Sequence, residues 1–149
     1  MANRQQPQFQ LGDFPFSVAI PIRYSDLDTL KHVNNVKIVD IYQEARVQFH
    51  REVFRELRRS EMGDDGYEKV LADMRVTYLR ETHFPYPVVV GCGLTRLGNS
   101  AYTISAAMFQ NGVLVGTSDA VLVYFKDSKS YPIPDESRSI LANYMMKGA

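Results

Sequence analysis

A single apolar stripe at helical spacing dominates the pattern of this 149-residue chain. From about Asn34 to Leu57, apolar residues recur three and four positions apart, which is the period of one buried helix face. Gly63 and Gly66 then supply the turn chemistry that ends a helix. The stripe consists of Ile38, Ile41, Tyr42, Ala45, Phe49, Val53 and Leu57. A stripe of about six turns requires a broad apolar surface to cover it.

Most of the remaining chain alternates with the period of two that is typical of half-buried strands. The alternating segments are 16–22 before the helix and 70–79, 102–108 and 113–125 after it. Residues 88–94 are apolar throughout, which predicts a strand buried on both faces. Asn111-Gly112 predicts a hairpin turn. One helix and several strands bury their apolar faces together when the sheet wraps the helix, so the sequence predicts an α+β fold.

The length suits one domain over residues 1–149, with a polar N-terminal tail at 1–14 and a short amphipathic helix or tail at 135–149. Seventeen basic and seventeen acidic residues cancel, so neither a nucleic acid nor an anionic membrane surface is an expected partner. No segment approaches the roughly 20 apolar residues needed to span a bilayer. The one cysteine, Cys92, lies in an apolar run, which favours a core residue in a reducing cytoplasm.

A polar cluster lies between the first predicted strand and the helix. It contains two carboxylates, an imidazole and two amides, namely Asp26, Asp28, His32, Asn34 and Asn35. Side chains there lie beside exposed helix N–H groups, where an anion or a reacting carbonyl can be held. The residues alone leave other roles open, because Asp and Asn also cap turns and helices. Asn34 in particular is expected to be the helix N-cap.

A metal site built from Asp26, Asp28 and His32 is conceivable, since these are suitable ligand types. No second cluster of His or Cys supports it. The chain also lacks the Gly-x-Ser-x-Gly elbow of serine hydrolases and the glycine-rich loops that bind phosphates. His50 and His83 have no recognisable partners and are expected at the surface.

Three segments, 23–28, 32–35 and 42–46, resemble the hot-dog-fold thioesterases of the 4-hydroxybenzoyl-CoA thioesterase type. The same region is similar to one half of the plant acyl-ACP thioesterases, and the resemblance extends over about residues 16 to 140. It implies an antiparallel sheet of about five strands wrapped around one central helix. It also implies a homodimer, often paired into a homotetramer, with active sites at the dimer interface that hydrolyse acyl-CoA or acyl carrier protein thioesters without a metal or organic cofactor.

The resemblance also implies residue roles. The catalytic carboxylate falls on Asp28, and the backbone N–H that polarises the thioester carbonyl falls on Asn35. We expect His32 to position the thioester or water, and Asn34 to contact substrate if it does more than cap the helix. The plant enzymes carry an Asp-x-Asn-x-His set, but Leu30 stands where that Asn should be. The hydroxybenzoyl-CoA arrangement is therefore the better guide.

Alternatives remain open at this stage. Glu44 lies where another branch of this fold places a catalytic Glu, although a solvated or interface ion pair is the favoured interpretation. The chain could instead be an acyl-ACP thioesterase, a hydratase or dehydratase, or a non-catalytic binder of acyl thioesters. Tyr42, Met74 and Tyr78 could line an acyl pocket, but core packing explains them equally well. Acyl preference cannot be predicted from the sequence.

Overall fold

One 19-residue helix, α1 (Asn35–Val53), packs against an antiparallel sheet that curls around it. The structure is a computed structural model that describes residues 8–149. Its strands are β1 (Phe16–Ile20), β2 (Glu68–Tyr78), β3 (Val88–Leu97), β4 (Ala101–Gln110), β5 (Val113–Lys126) and the two-residue β6 (Lys129–Ser130). A second helix, α2 (Asp135–Ala142), follows the sheet.

The strand order is β1-β3-β4-β5-β2, and β6 pairs with β5 at the end of their hairpin. All these neighbours are antiparallel. Strands β1 and β2 lie at opposite edges of the sheet, so the chain crosses the sheet through α1 between them. Five long strands around one central helix make up the α+β hot-dog fold, so this prediction is confirmed.

Helix α1 begins where the sequence predicts and ends earlier. The side-chain oxygen of Asn34 accepts a hydrogen bond from the Val36 N–H at 2.8 Å, so Asn34 is the N-cap. Phe54 leaves helical geometry, with φ −101° and ψ 21°, so the helix ends at Val53 rather than near Leu57. The stripe is nevertheless buried from Ile38 to Phe54, and it forms the centre of the main core.

Strand β3 is buried on both faces, as predicted. Its inner face packs on the main core, whereas its outer face is covered by the chain's own end segments. A Cβ on Gly91 would lie 2.7 Å from the Phe14 ring, and a Cβ on Gly93 would lie 2.6 Å from Met146. Glycine is therefore needed at both positions, because any side chain there would occupy the space taken by Phe14 and Met146. Cys92 between them is a core residue, as predicted, and burial raises the pKa of its thiol to about 12.

The end segments differ in detail from the expected tails. Residues 1–7 of the predicted N-terminal tail lie outside the described residues, but Phe14 is buried against Ala107 and Phe109. At the other end, α2 stops at Ala142 and the chain then joins β3. The Leu94 N–H donates to the Tyr144 carbonyl, and the Met146 N–H donates to the Leu94 carbonyl, both at 2.8 Å. Neither helix in residues 8–149 is long and apolar enough to cross a membrane.

Candidate active site

A cavity of about 400 Å³ opens between the N-terminal half of α1 and the sheet. Three of the predicted site residues, Asp28, His32 and Asn35, contribute to its lining. Its other walls include side chains from α1 and from strands β2, β4 and β5, among them Ile38, Tyr42, Tyr78, Met108 and Gly116. The polar cluster found in the sequence therefore lies at a concave site, which is where ligands generally bind.

Asp28 both organises its own loop and faces the cavity. Its Oδ1 accepts hydrogen bonds from the backbone N–H of Leu30 at 2.9 Å and of His32 at 3.3 Å. The loop closes further through the Asp28 N–H, which donates to the His32 carbonyl at 2.9 Å. Among the described residues, Oδ2 has no hydrogen-bond partner. One oxygen is thus used for structure, and the other is available to a ligand.

Asp26, the first carboxylate of the pair, has a structural position. It is buried, and its Oδ2 accepts from the Arg23 N–H at 2.8 Å while its Oδ1 lies 3.2 Å from Arg23 Nη2. Its carbonyl accepts the Asn34 N–H at 2.8 Å, which holds the loop against the start of α1. Asp26 does not line the cavity. It acts as the turn cap that the sequence allowed.

The first residue of α1, Asn35, lines the cavity. The first N–H groups of a helix have no intrahelical acceptor. The Asn34 side chain takes the Val36 N–H, which leaves the Asn35 N–H available beside the positive end of the helix dipole. Asn34 itself is not part of the cavity lining, so its direct contact with substrate stays a prediction.

His32 lies beside Glu81 and His83, two residues that no sequence motif connects with it. Its Nε2 lies 3.3 Å from Oε2 of Glu81, and its ring meets the ring of His83 edge to face at 5.5 Å. The side chain of Gln110 holds the 83–86 segment in place through the His83 N–H and the carbonyls of His83 and Tyr86. Glu81 follows β2 in a segment without periodicity, so no sequence signal pointed to it.

The prediction that His50 is a surface group is wrong. Its Nε2 lies 2.6 Å from the Tyr102 hydroxyl, and its ring stacks on Phe54. Burial, followed by the charge of Lys69, lowers the pKa of His50 to about 4. The reason is geometric: the curled sheet reaches around the last turn of α1 and covers a position at the edge of the apolar stripe. His83 is half exposed, in line with the prediction.

Two other candidates lie away from the cavity. Glu44 is exposed and accepts a hydrogen bond from Gln48 at 3.0 Å, so it faces solvent in this chain. Met74 packs against the core, where its sulfur lies 3.8 Å from Arg46 Nη1. Within residues 8–149, no group of three His, Cys, Asp or Glu side chains is arranged to hold a metal ion.

Tyr42 and Gly116 meet deep in the cavity. Tyr42 is 1% exposed, and among the described residues its hydroxyl has no hydrogen-bond partner. A Cβ on Gly116 would lie 3.1 Å from that hydroxyl and 3.0 Å from the Thr77 carbonyl oxygen. Burial raises the pKa of Tyr42 well above its ordinary value, so the hydroxyl keeps its proton. A phenol in the middle of an apolar helix stripe was the one sequence signal for this feature.

The chain matches the thioesterase-like superfamily over residues 22–141. Similar solved structures include a predicted thioesterase from Bacillus stearothermophilus, with 26% identity, a TM-score of 0.79, and 90% of this chain and 98% of that chain covered. A thioesterase from Thermus thermophilus, complexed with coenzyme A and Zn, has 27% identity and a TM-score of 0.77, covering 89% and 95% of the two chains. A candidate acyl-CoA thioesterase from Xanthomonas campestris has 28% identity and a TM-score of 0.67, covering 80% and 99%. No curated protein matches this chain significantly.

Proposed function

Because this chain belongs to the thioesterase-like superfamily, we propose that it hydrolyses an acyl-CoA thioester to a free acid and CoA, with Asp28 as the catalytic carboxylate. The observation that carries the proposal is the shared cavity of Asp28 and Asn35. Asp28, which has one carboxylate oxygen without a partner, and Asn35, the first residue of α1, line the same 400 Å³ space. Those are the two groups that ester cleavage requires.

In the proposed reaction, the thioester carbonyl oxygen accepts a hydrogen bond from the Asn35 N–H. Oδ2 of Asp28 takes a proton from water as the water oxygen attacks the carbonyl carbon. The tetrahedral oxyanion is stabilised by the Asn35 donor, a contribution of about 3 kcal/mol for donors of this kind. Collapse then breaks the carbon–sulfur bond, and the CoA thiolate takes up the proton. Direct attack by Oδ2 on the carbonyl, followed by hydrolysis of the anhydride, uses the same two groups.

His32 is proposed to position the thioester or the water. Its imidazole lines the cavity and is oriented by Glu81, 3.3 Å from Nε2. A carboxylate in that place fixes the ring and its tautomer, as carboxylates commonly do for a histidine. His32 is therefore a candidate to act beside Asp28 rather than in its place.

CoA is the proposed carrier, rather than acyl carrier protein, because the Thermus thermophilus relative is complexed with coenzyme A. The name of the Xanthomonas campestris relative supports the same choice. A homodimer or homotetramer is the proposed assembly. Edge strand β2 leaves Val70, Leu71 and Tyr78 substantially exposed, and an apolar edge of this kind commonly pairs with another chain. Light scattering coupled to size exclusion tests this, and a clean monomer would contradict it.

The experiment that tests the function is thiol release from a panel of acyl-CoAs by Asp28→Asn. An asparagine keeps an oxygen for the Leu30 and His32 N–H groups, so the loop retains its shape while the base is lost. We expect a loss of at least about 100-fold in kcat. Asp26→Asn is the matched control, since Asp26 lies outside the cavity. Near-wild-type turnover by Asp28→Asn would refute the proposal, and tight binding without thiol release by the wild type would indicate a non-catalytic binder.

A further inference from the structure

Three residues on one face of α1 lead from the reacting end of the cavity to its floor. Asn35, Ile38 and Tyr42 have the spacing i, i+3 and i+7, which places them on the same side of a helix. All three line the cavity. The rise from Asn35 to Tyr42 is about 10 Å along the axis. An acyl group whose carbonyl oxygen lies at the Asn35 N–H would therefore pass Ile38 and approach the Tyr42 hydroxyl.

That hydroxyl is an exception among the buried tyrosines of this chain. Tyr102 and Tyr124 are equally buried, and their hydroxyls bond to His50 at 2.6 Å and to Asp65 at 2.5 Å. Within residues 8–149, two buried side-chain polar atoms have no partner: the Tyr42 hydroxyl and the Ser118 hydroxyl. Ser118 does not line the cavity, whereas Tyr42 does. Buried polar groups nearly always have a partner, so one left unpaired in a ligand-sized cavity points to the ligand.

The hydroxyl lies on a cavity wall that also includes apolar side chains and one glycine. Met108 and Val115 line the same space, and Gly116 contributes no side chain where a Cβ would come within 3.1 Å of the hydroxyl oxygen. The cavity floor therefore combines hydrocarbon walls with one fixed hydrogen-bond donor. Sites of this composition select ligands that are mostly apolar and carry one suitably placed polar atom.

We propose that the acyl group of the substrate carries a ketone or hydroxyl oxygen several carbons beyond the thioester carbonyl, and that the Tyr42 hydroxyl donates a hydrogen bond to it. The proposal rests on the proposed function and makes Tyr42 the residue that distinguishes oxygenated from plain hydrocarbon acyl groups. A plain chain would leave the hydroxyl unpaired, whereas an oxygenated chain would accept its hydrogen bond.

The test compares Tyr42→Phe with the wild type in binding non-hydrolysable analogues of hexanoyl-CoA and 5-oxohexanoyl-CoA, in which a methylene group separates the sulfur from the carbonyl. The octanoyl and 7-oxooctanoyl pair is measured alongside, since the distance from the carbonyl decides which ketone reaches Tyr42. Calorimetry gives the four dissociation constants for each protein. We expect the wild type to favour the oxo analogue of one pair by about threefold to tenfold.

Tyr42→Phe is expected to lose that preference and to bind the plain analogue more tightly than the wild type does. Because no hydrogen bond within the protein is lost, its unfolding midpoint should not fall. Tyr102→Phe is the matched control, since Tyr102 is equally buried but lies outside the cavity. Its preference should equal that of the wild type.

Equal affinity of the wild type for both members of each pair would overturn the inference, as would an unchanged preference in Tyr42→Phe. These results are separable from failure of the proposed function. If thiol is released from acyl-CoAs but the preference does not depend on Tyr42, the function stands and this inference falls. If the preference depends on Tyr42 but no acyl-CoA is cleaved, the inference stands for binding and the hydrolase activity falls.

Discussion

The hydroxyl of Tyr78 donates a hydrogen bond to the carbonyl oxygen of Asn35 across 3.1 Å. This contact joins the end of β2 to the first turn of α1, beside the Asn35 N–H that we propose as the oxyanion donor. Tyr78 is 48% exposed, so the bond contributes little to the core. Its effect is to hold the helix N-terminus at a fixed distance from the sheet wall opposite.

Tyr78→Phe is expected to lower kcat with only a small change in stability. Loss of one neutral hydrogen bond, worth about 1 kcal/mol, allows the first turn to shift and should reduce kcat about fivefold. Steady-state thiol release and thermal unfolding measure the two effects. A variant with full kcat would show that this bond does not position the Asn35 donor.

Asp65→Asn should destabilise the protein without removing activity. Asp65 is fully buried and accepts from Lys69 at 2.5 Å, Tyr124 at 2.5 Å and Ser137 at 2.7 Å. Neutralising it leaves the buried Lys69 charge with Asp64, 3.6 Å away, as its remaining carboxylate partner, and the broken buried pair costs about 3 kcal/mol. Urea unfolding measures the loss. The cavity lies elsewhere, so the folded fraction should keep its kcat, and the exposed neighbour substitution Glu68→Gln should change neither quantity.

His50 predicts a pH dependence of stability. Burial lowers its pKa from 6.5 to about 4, so the unfolded chain binds this proton at a higher pH than the folded protein does. The stabilisation is complete above pH 6.5 and is lost as the pH falls from about 6.5 to about 4. The ceiling is about 3 kcal/mol, reduced by partial exposure of the ring.

Urea unfolding at several pH values between 4 and 6.5 should show the free energy of unfolding rising with pH, and His50→Gln should flatten that slope.

The contribution of Asp65 to the pH dependence lies at lower pH. Burial alone would raise the pKa of Asp65, but the hydrogen bonds from Lys69 and Tyr124 bring it below its ordinary value of 3.8. Its stabilisation is therefore lost only as the pH falls below about 3.8. A slope confined to that lower range would contradict the role assigned to His50.

Gly116→Ala should restrict the cavity to shorter acyl groups. The added methyl would lie 3.1 Å from the Tyr42 hydroxyl and 3.0 Å from the Thr77 carbonyl oxygen. Overpacking of this kind costs about 1 kcal/mol or more, so kcat/KM for octanoyl-CoA should fall about fivefold while acetyl-CoA is less affected. Gly12→Ala is the control, because its Cβ would meet nothing within 4 Å. Equal losses for both acyl lengths would argue against a cavity floor at Gly116.

The sequence predicts the helix and strands well because burial in this fold follows periodicity closely. The apolar stripe of α1 corresponds to one buried face, and the alternation in β5 matches its alternating burial around Ser118 and Ala120. The prediction that residues 102–108 form a half-buried strand is wrong, because β4 is buried on both faces from Ile104 to Gln110. Burial of residues 88–94 on both faces was also predicted, but what covers the outer face was not. Phe14 and Met146 do so from opposite ends of the chain. No local pattern encodes a contact between segments so far apart.

The candidate site divides in the same way: contacts within one segment were predicted, and contacts between distant segments were not. Asp28, His32 and Asn35 are close in sequence and were predicted together, because a loop before a helix brings its own residues to the helix end. Glu81 meets His32 because the Val33 N–H donates to the Thr82 carbonyl at 2.9 Å, a contact between segments far apart in the sequence. His50 was misassigned because its burial depends on the curl of the sheet and not on its own helix position. Tertiary geometry decides such cases.

The loop amides that bind one oxygen of Asp28 have a consequence for how the rate can be tuned. These two hydrogen bonds restrict rotation of the carboxyl group, so its second oxygen has a set direction before any ligand arrives. Substrate binding therefore needs little further restriction of the side-chain torsions of Asp28. Evolution or engineering of turnover should therefore act through the backbone torsions of residues 29–31, which set the directions of the Leu30 and His32 N–H groups.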